Sequence, residues 1–230
     1  MPPRHPAKLG LGNAVPRASL AAYEAALRAH SAFPPALDRW WPGRTRLEIM
    51  VSALLAQNTG WANVALAMAA LRAAGRLSQA GLERLDEAEL GRLIRSSGCW
   101  RQKARRLKAL LAWLRREHAG SLSRLFRLPT AEVRRQLLAR EGIGEETADA
   151  ILLFAAGHPS FVVDAYTRRI FTRHRLPLDR AWIAAQLPPS ARRYRHWHAW
   201  MVETAKRYCR KRRPDCAACP LRPLLPAVRP

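Results

Sequence analysis

A chain of 230 residues, 49% of them apolar, is long enough to bury a sizeable core and too apolar to be disordered. Forty Lys and Arg against seventeen Asp and Glu leave a formal net charge of +23, which disfavours cationic partners and points to a polyanion, nucleic acid ahead of acidic proteins or lipid headgroups. Paired arginines such as Arg105–Arg106, Arg115–Arg116, Arg168–Arg169 and Arg192–Arg193 are spread along the chain, as a folded basic face requires, rather than gathered in one tail.

In chain order, the start M-P-P-R-H-P-A-K-L-G-L-G puts Pro and Gly where a secretory signal needs an apolar run, and no apolar run approaches membrane-spanning length. A cytoplasmic protein of the bacterial nucleoid, monomeric and without a membrane partner, is the expectation; the lack of acids through residue 23 also suits an organellar transit peptide. A helix is predicted over residues 18–30, then a turn around Pro34–Pro35 and W-W-P-G. L-E-I-M-V-S-A-L-L-A, from Leu47, is apolar nearly all round and predicts a buried helix. Residues 62–74 are alanine-rich, and 85–95 carry a weaker amphipathic pattern. Over 104–117, Leu107, Leu110, Leu111 and Leu114 fall at i, i+3, i+4 and i+7 with arginines opposite. Thr130 and Glu132 suit the start of a helix over 129–139. Further helices are expected over 145–156, 165–175, 179–186 and 191–208, and no strand alternation interrupts them. The fold class is all-α, with a helical middle flanked by both termini as two lobes.

Three features carry chemistry. Gly142, Ile143 and Gly144 form G-I-G between two helical arms, 133–139 and 145–156, a turn whose exposed N–H groups suit a phosphate. Asp164 follows an apolar run and precedes an amphipathic helix, which makes it first of all an N-cap and secondly a candidate acid. Of four cysteines, Cys209, Cys216 and Cys219 cluster near the C-terminus, a spacing that reads as a metal site before it reads as disulfides.

G-I-G, the helix containing Thr147 and Ala148, and V-D at this spacing resemble the helix-hairpin-helix glycosylase superfamily, endonuclease III and its relatives in particular. L-L-A-Q-N-T, residues 54–59, resembles the segment whose glutamine fills the gap left by an extruded nucleotide, which nominates Gln57. S-G-C-W-R-Q-K-A, residues 97–104, resembles the loop that wedges into the duplex, with Cys99 and Trp100 in the wedging places. The likeness spans about residues 40–220. It implies a six-helix lobe with the hairpin over 40–158, a second lobe from 1–39 and 159–230, and an active-site cleft between them. It further implies a base-excision enzyme that flips a damaged nucleotide out of double-stranded DNA. Asp164 is then the catalytic carboxylate, and Gln57, Cys99, Trp100, Gly142, Ile143, Gly144, Thr147 and Arg168 contact DNA.

Two departures qualify the likeness. Relatives that also cut the strand carry a Schiff-base lysine two residues after the second glycine, and here that place holds Glu146. No lysine lies between Lys108 and Lys206, so a glycosylase using water, with little or no lyase activity, is expected. The motifs look most like the members that remove alkylated purines, 3-methyladenine above all. Glu146 then either favours a cationic base as part of the catalytic pocket or complements the positive end of its helix. Secondly, C-x6-C-x2-C reproduces three of the four cysteines of the family's iron–sulfur loop, while Leu225 holds the fourth place. A [4Fe–4S] cluster is expected on Cys209, Cys216 and Cys219, with zinc or no metal as alternatives. The loop C-R-K-R-R-P-D-C is basic enough to meet DNA phosphates by itself. Among the tryptophans only Trp100 is given a role, and His196 and His198 read as surface or packing residues. The competing functions are a mismatch adenine or uracil/thymine glycosylase and a non-catalytic helix-hairpin-helix DNA-binding protein.

Overall fold

Local sequence rules start and stop the helices. In the computed structural model, which describes residues 19–30, 37 and 40–226, twelve helices alternate with short turns, and no strand occurs among the described residues. The fold is all-α, as the periodicity predicts. Residues 1–18 and the Pro34–Pro35 turn lie outside the described residues.

Thr45 opens α2 (Arg46–Leu55) by accepting from the Glu48 amide at 3.1 Å, while the Glu48 carboxylate accepts from the Arg44 amide at 3.2 Å. Behind that cap, Met50, Val51, Ala53, Leu54 and Leu55 are all buried. α2 forms the spine of the core, packed by α3 (Trp61–Ala73), α6 (Trp100–His118) and α9 (Glu145–Ala150). The four leucines of the i, i+3, i+4, i+7 stripe on α6 are buried, so this face of the longest helix is where the pattern placed it.

The weak pattern over 85–95 resolves into separate pieces. Ser78 caps α4 (Gln79–Arg84), and Asp86 caps α5 (Glu87–Leu93) in a reciprocal box with Glu89. A 3-10 turn, Arg95–Ser97, follows, and the short α7 (Leu122–Leu125) begins at Ser121, which caps it. Neither α4 nor α7 is visible as periodicity, because one turn of helix is too short to show a repeat.

α8 (Thr130–Leu138) and α9 are the two arms of the hairpin. The helix expected to run from 145 to 156 changes pitch at Ile151 and continues as a π-helical stretch, Ile151–Ala156, ending at Gly157 with φ 76°. Its apolar residues lie against α2. Beyond it come α10 (Ala165–Arg173), α11 (Arg180–Gln186) and α12 (Ala191–Arg207). α1 (Leu20–Ala29) joins these C-terminal helices. Its buried Glu24 binds Arg193 at 2.7 Å and accepts from Trp197 Nε1 at 3.4 Å, and Tyr23 Oη meets His174 Nδ1 at 3.0 Å. A buried carboxylate stays charged only where such partners surround it. No helix among the described residues is long and apolar enough to cross a membrane.

Candidate active site

The hairpin turn needs only one of its glycines for backbone reasons. Gly142 has φ 75°, and a Cβ there would strike the Arg106 guanidinium. Gly144 is extended at φ −84° as the N-cap of α9, and a Cβ on it would meet open space. Ile143 between them is buried and anchors the turn in the core. The hairpin therefore presents bare backbone at the start of α9, the geometry that holds a phosphate.

Glu145 does not spoil this end. Its carboxylate turns aside to Arg134 at 2.9 Å, which also binds the fully buried Asp149 at 3.0 Å. Asp149 is further satisfied by Arg180 and by Ser160 Oγ at 2.7 Å, so it is a structural ion-pair centre.

Asp164 caps its helix, as the sequence allowed, and stands in the cleft. Its Oδ1 accepts from the Thr167 amide at 2.6 Å, capping α10, and the side chain is 5% exposed at the wall of two adjoining cavities. The cap fixes the direction of the carboxylate. Glu146 lines the same two cavities. Part of its side chain remains open to solvent, yet the crowded cleft pushes its pKa up to about 6. Desolvation is the main cause, the nearby Asp164 charge adds to it, and Arg168 opposes it.

The two cavities differ in character. The larger, about 340 Å³, is charged, with Arg168 and Arg180 facing Glu146 and Asp164. The smaller, about 150 Å³, is walled by Trp40, Trp41, Trp61, Tyr166 and His198, with Glu146, Asp164 and Lys206 at its polar side. A cavity of that size accommodates one aromatic ring. Trp41 lies 4.8 Å from Phe154 and 5.3 Å from Trp61 between ring centroids, and its Nε1 donates to Ser52 Oγ at 2.9 Å. His198 stacks edge-on to Trp40 at 5.4 Å and is buried, so desolvation lowers its pKa against the pull of Asp164. Its buried Nδ1 has no hydrogen-bond partner.

Gln57 joins the site from the end of α2. Its Nε2 donates to the Gly142 carbonyl at 2.7 Å and to Thr147 Oγ1 at 2.9 Å, and its Oε1 accepts from Arg106 at 3.4 Å. Cys99 is exposed at the tip of its loop with φ 44°. Trp100 is different from what the sequence suggests. Its ring covers Gly91 of α5, where a Cβ would come within 2.6 Å of it, and Arg101 stacks over it at 4.2 Å. Of the two residues expected to wedge, Cys99 is exposed and Trp100 is half-buried against α5. The larger side chain gains more by packing on α5 than by standing in water.

The cysteine loop does not fit a four-thiolate cluster. Cys209 is buried, Cys216 exposed and Cys219 half-buried, and the fourth family place is Leu225. Among the described residues no group of three or more His, Cys, Asp or Glu side chains converges as metal ligands. Arginines hold the loop instead. Arg173 donates to Cys209 Sγ at 3.0 Å and to the Arg210 carbonyl at 2.9 Å, and Arg169 donates to the Cys209 carbonyl at 2.6 Å. The three expected cysteine ligands thus do not converge as a metal-binding group among the described residues, and the buried Cys209 sulfur accepts from a guanidinium.

Sequence reasoning missed Trp40, Trp41, His198 and Lys206. W-W-P-G reads as a turn, and the last two sit on a helix whose apolar face looks like core. Only a pair of adjacent tryptophans before a proline, exposed to no obvious partner, hinted at a ring-binding wall.

Residues 51–181 match the family described as HhH-GPD superfamily base excision DNA repair protein. A candidate DNA repair glycosylase of Methanocaldococcus jannaschii is 38% identical over 194 residues, covering 80% of this chain and 87% of the relative. Among solved structures, the 3-methyladenine DNA glycosylase MagIII of H. pylori bound to 1,N6-ethenoadenine superposes with a TM-score of 0.65 at 24% identity, over 81% of this chain and 94% of that one. A non-covalent endonuclease III–DNA complex gives 0.69 at 21% identity, over 90% and 92%. With the family match over more than half of the chain and the 38% identical relative, the chain belongs to the HhH-GPD superfamily of base excision DNA repair proteins as a DNA glycosylase.

Proposed function

We propose that the chain is a monofunctional glycosylase that hydrolyses the N-glycosidic bond of an alkylated purine, 3-methyladenine above all, flipped out of double-stranded DNA. The observation that carries this reading is the aromatic-walled cavity with two carboxylates, Glu146 and Asp164, on its wall, adjoining the larger charged cavity. A cationic purine gains both from stacking on electron-rich indole faces and from adjacent negative charge. The likeness to a 3-methyladenine glycosylase supports the same substrate class.

Cleavage leaves positive charge on the sugar as the base departs. The Asp164 carboxylate stabilises that oxocarbenium-like state and accepts the proton of the attacking water, and an already cationic base leaves without acid assistance. Glu146 stands where a strand-cutting enzyme needs an amine, which supports hydrolysis without a Schiff base. Gln57, Cys99, Arg168 and the backbone of Gly142, Ile143 and Gly144, with Thr147 behind them, are the DNA-contacting set of this reading. Trp100 supports the wedge loop from below.

Release of base from duplexes bearing 3-methyladenine, hypoxanthine, uracil or mismatched adenine tests it. Preferential release of 3-methyladenine is expected, and preference for a mismatched pyrimidine or adenine would overturn the substrate assignment. Lys206 is the one amine on the aromatic cavity wall, 3.8 Å from Glu203. Borohydride reduction in the presence of an abasic duplex should give no covalent adduct; an adduct lost in Lys206→Met would make the enzyme bifunctional.

A further inference from the structure

Lys103 is 3% exposed, an uncommon place for an ammonium group, and its surroundings explain it. The Nζ atom donates to the Leu55 carbonyl at 2.8 Å and to the Ser97 carbonyl at 2.6 Å. Leu55 is the last residue of α2, so its carbonyl has no partner within the helix and carries the negative end of the helix dipole. Ser97 is the last residue of the 3-10 turn. Each carbonyl stands two residues before a side chain assigned to DNA, Gln57 in one loop and Cys99 in the other. Both loops then pass through left-handed backbone at a residue that is not glycine, Asn58 at φ 52° and Cys99 at φ 44°. Such conformations persist only where the surroundings hold them. The loops also touch, since a Cβ on Gly98 would lie 3.6 Å from Thr59 Oγ1.

We propose that Lys103 is a positioning residue for base extrusion: one buried ammonium, bound to a carbonyl in each loop, fixes the spacing between the gap-filling Gln57 and the Cys99 wedge. The inference rests on the reading that this chain opens duplex DNA at a damaged base. Burial depresses the Lys103 pKa, while the nearby Cys99 thiol favours the charged form. Without the ammonium, two buried carbonyls lose their donor and the two turns are free to move apart. Binding to the duplex continues through the arginines, but the two side chains no longer enter it together.

Lys108 supplies a matched control. Its Nζ donates to the carbonyls of Glu83 and Leu85, both at 2.6 Å, at the far end of α4 and away from both loops. Lys103→Met and Lys108→Met of the full chain are compared for release of 3-methyladenine from duplex and from single-stranded DNA, where nothing must be extruded. The same proteins are tested for the fluorescence rise of 2-aminopurine placed opposite a tetrahydrofuran abasic analogue.

Lys103→Met should lose between about ten- and a hundredfold of duplex release, the scale of a small misplacement in a positioned site, with single-strand release unchanged. It should also lose the fluorescence rise, and Lys108→Met should keep both. Parallel loss on duplex and single strand, an equal duplex deficit in Lys108→Met, or an unaltered Lys103→Met would each overturn the proposal. Should Lys103→Met not fold, Lys103→Gln, which is uncharged and too short to reach both carbonyls together, must show the duplex-selective deficit, and Lys103→Arg, which keeps a cationic donor for both, must show less of it. A wild-type protein that releases no base would sink the glycosylase reading alone, because the fluorescence arm still decides the role of Lys103. Absence of any fluorescence rise in the wild type would sink the role of Lys103.

Discussion

Gln57 Nε2 donates to the Gly142 carbonyl at 2.7 Å, a bond that spans 85 residues of chain and ties the proposed gap-filling side chain to the helical hairpin. The same nitrogen reaches Thr147 Oγ1 at 2.9 Å. In the free protein the residue proposed to enter DNA is thus latched onto the helical hairpin.

Gln57→Ala removes two hydrogen bonds at the latch and should lower stability by about 1–2 kcal/mol, read from urea denaturation. Duplex base release should fall more than release from single strands. A destabilised variant with full duplex activity would show that the latch is structural and the glutamine does not enter the gap.

Asp164→Asn separates capping from catalysis. Asparagine caps a helix about as well as aspartate, so the melting temperature should hardly move. Base release should fall by at least about a hundredfold, the scale of a lost general base or charge stabiliser. Retained activity in a stable variant would remove Asp164 from the chemistry.

Glu146 gives the enzyme a dependence on pH. Its carboxyl, raised from the ordinary 4.5 to about 6 chiefly by desolvation, binds its proton more tightly folded than unfolded. Its contribution to stability is therefore fully present below pH 4.5 and lost as pH rises through about 6. Charge for attracting a cationic base appears over the same interval. KM for 3-methyladenine DNA should rise as pH falls below about 6 in the wild type, and Glu146→Gln should show the high KM at every pH. Identical pH profiles for the two proteins would leave Glu146 as a helix-terminus residue only.

The cysteine loop should survive chelation. Arg169 and Arg173 bind the carbonyls of Cys209 and Arg210, and those bonds need no metal. Prolonged treatment with a strong chelator is expected to leave the melting temperature in place, whereas Arg173→Met should lower it by several degrees, the effect of about 1 kcal/mol on a chain of this size. A visible iron–sulfur absorbance band whose loss unfolds the protein would reverse this assignment.

Sequence alone determined the longer helices, the hairpin and the capped aspartate, because each depends on residues a few positions apart. Asp164 lies three residues from the amide it caps, and the α6 stripe repeats within two turns. It also exposed the missing amine at Glu146, a matter of residue identity at one place in a motif. Tertiary structure decided what those elements face. Periodicity says which side of α12 is buried, not that His198 and Lys206 there border the same cavity as Trp41, more than 150 residues earlier. It starts this helix after Lys103, whereas the structure includes Lys103 in α6, buried against the Leu55 and Ser97 carbonyls. It places Trp100 in the wedge loop, while packing against Gly91 takes the ring away from the tip. The wedge, the latch and the aromatic wall all depend on contacts between segments distant in sequence, and such contacts leave no local pattern for a single chain to display.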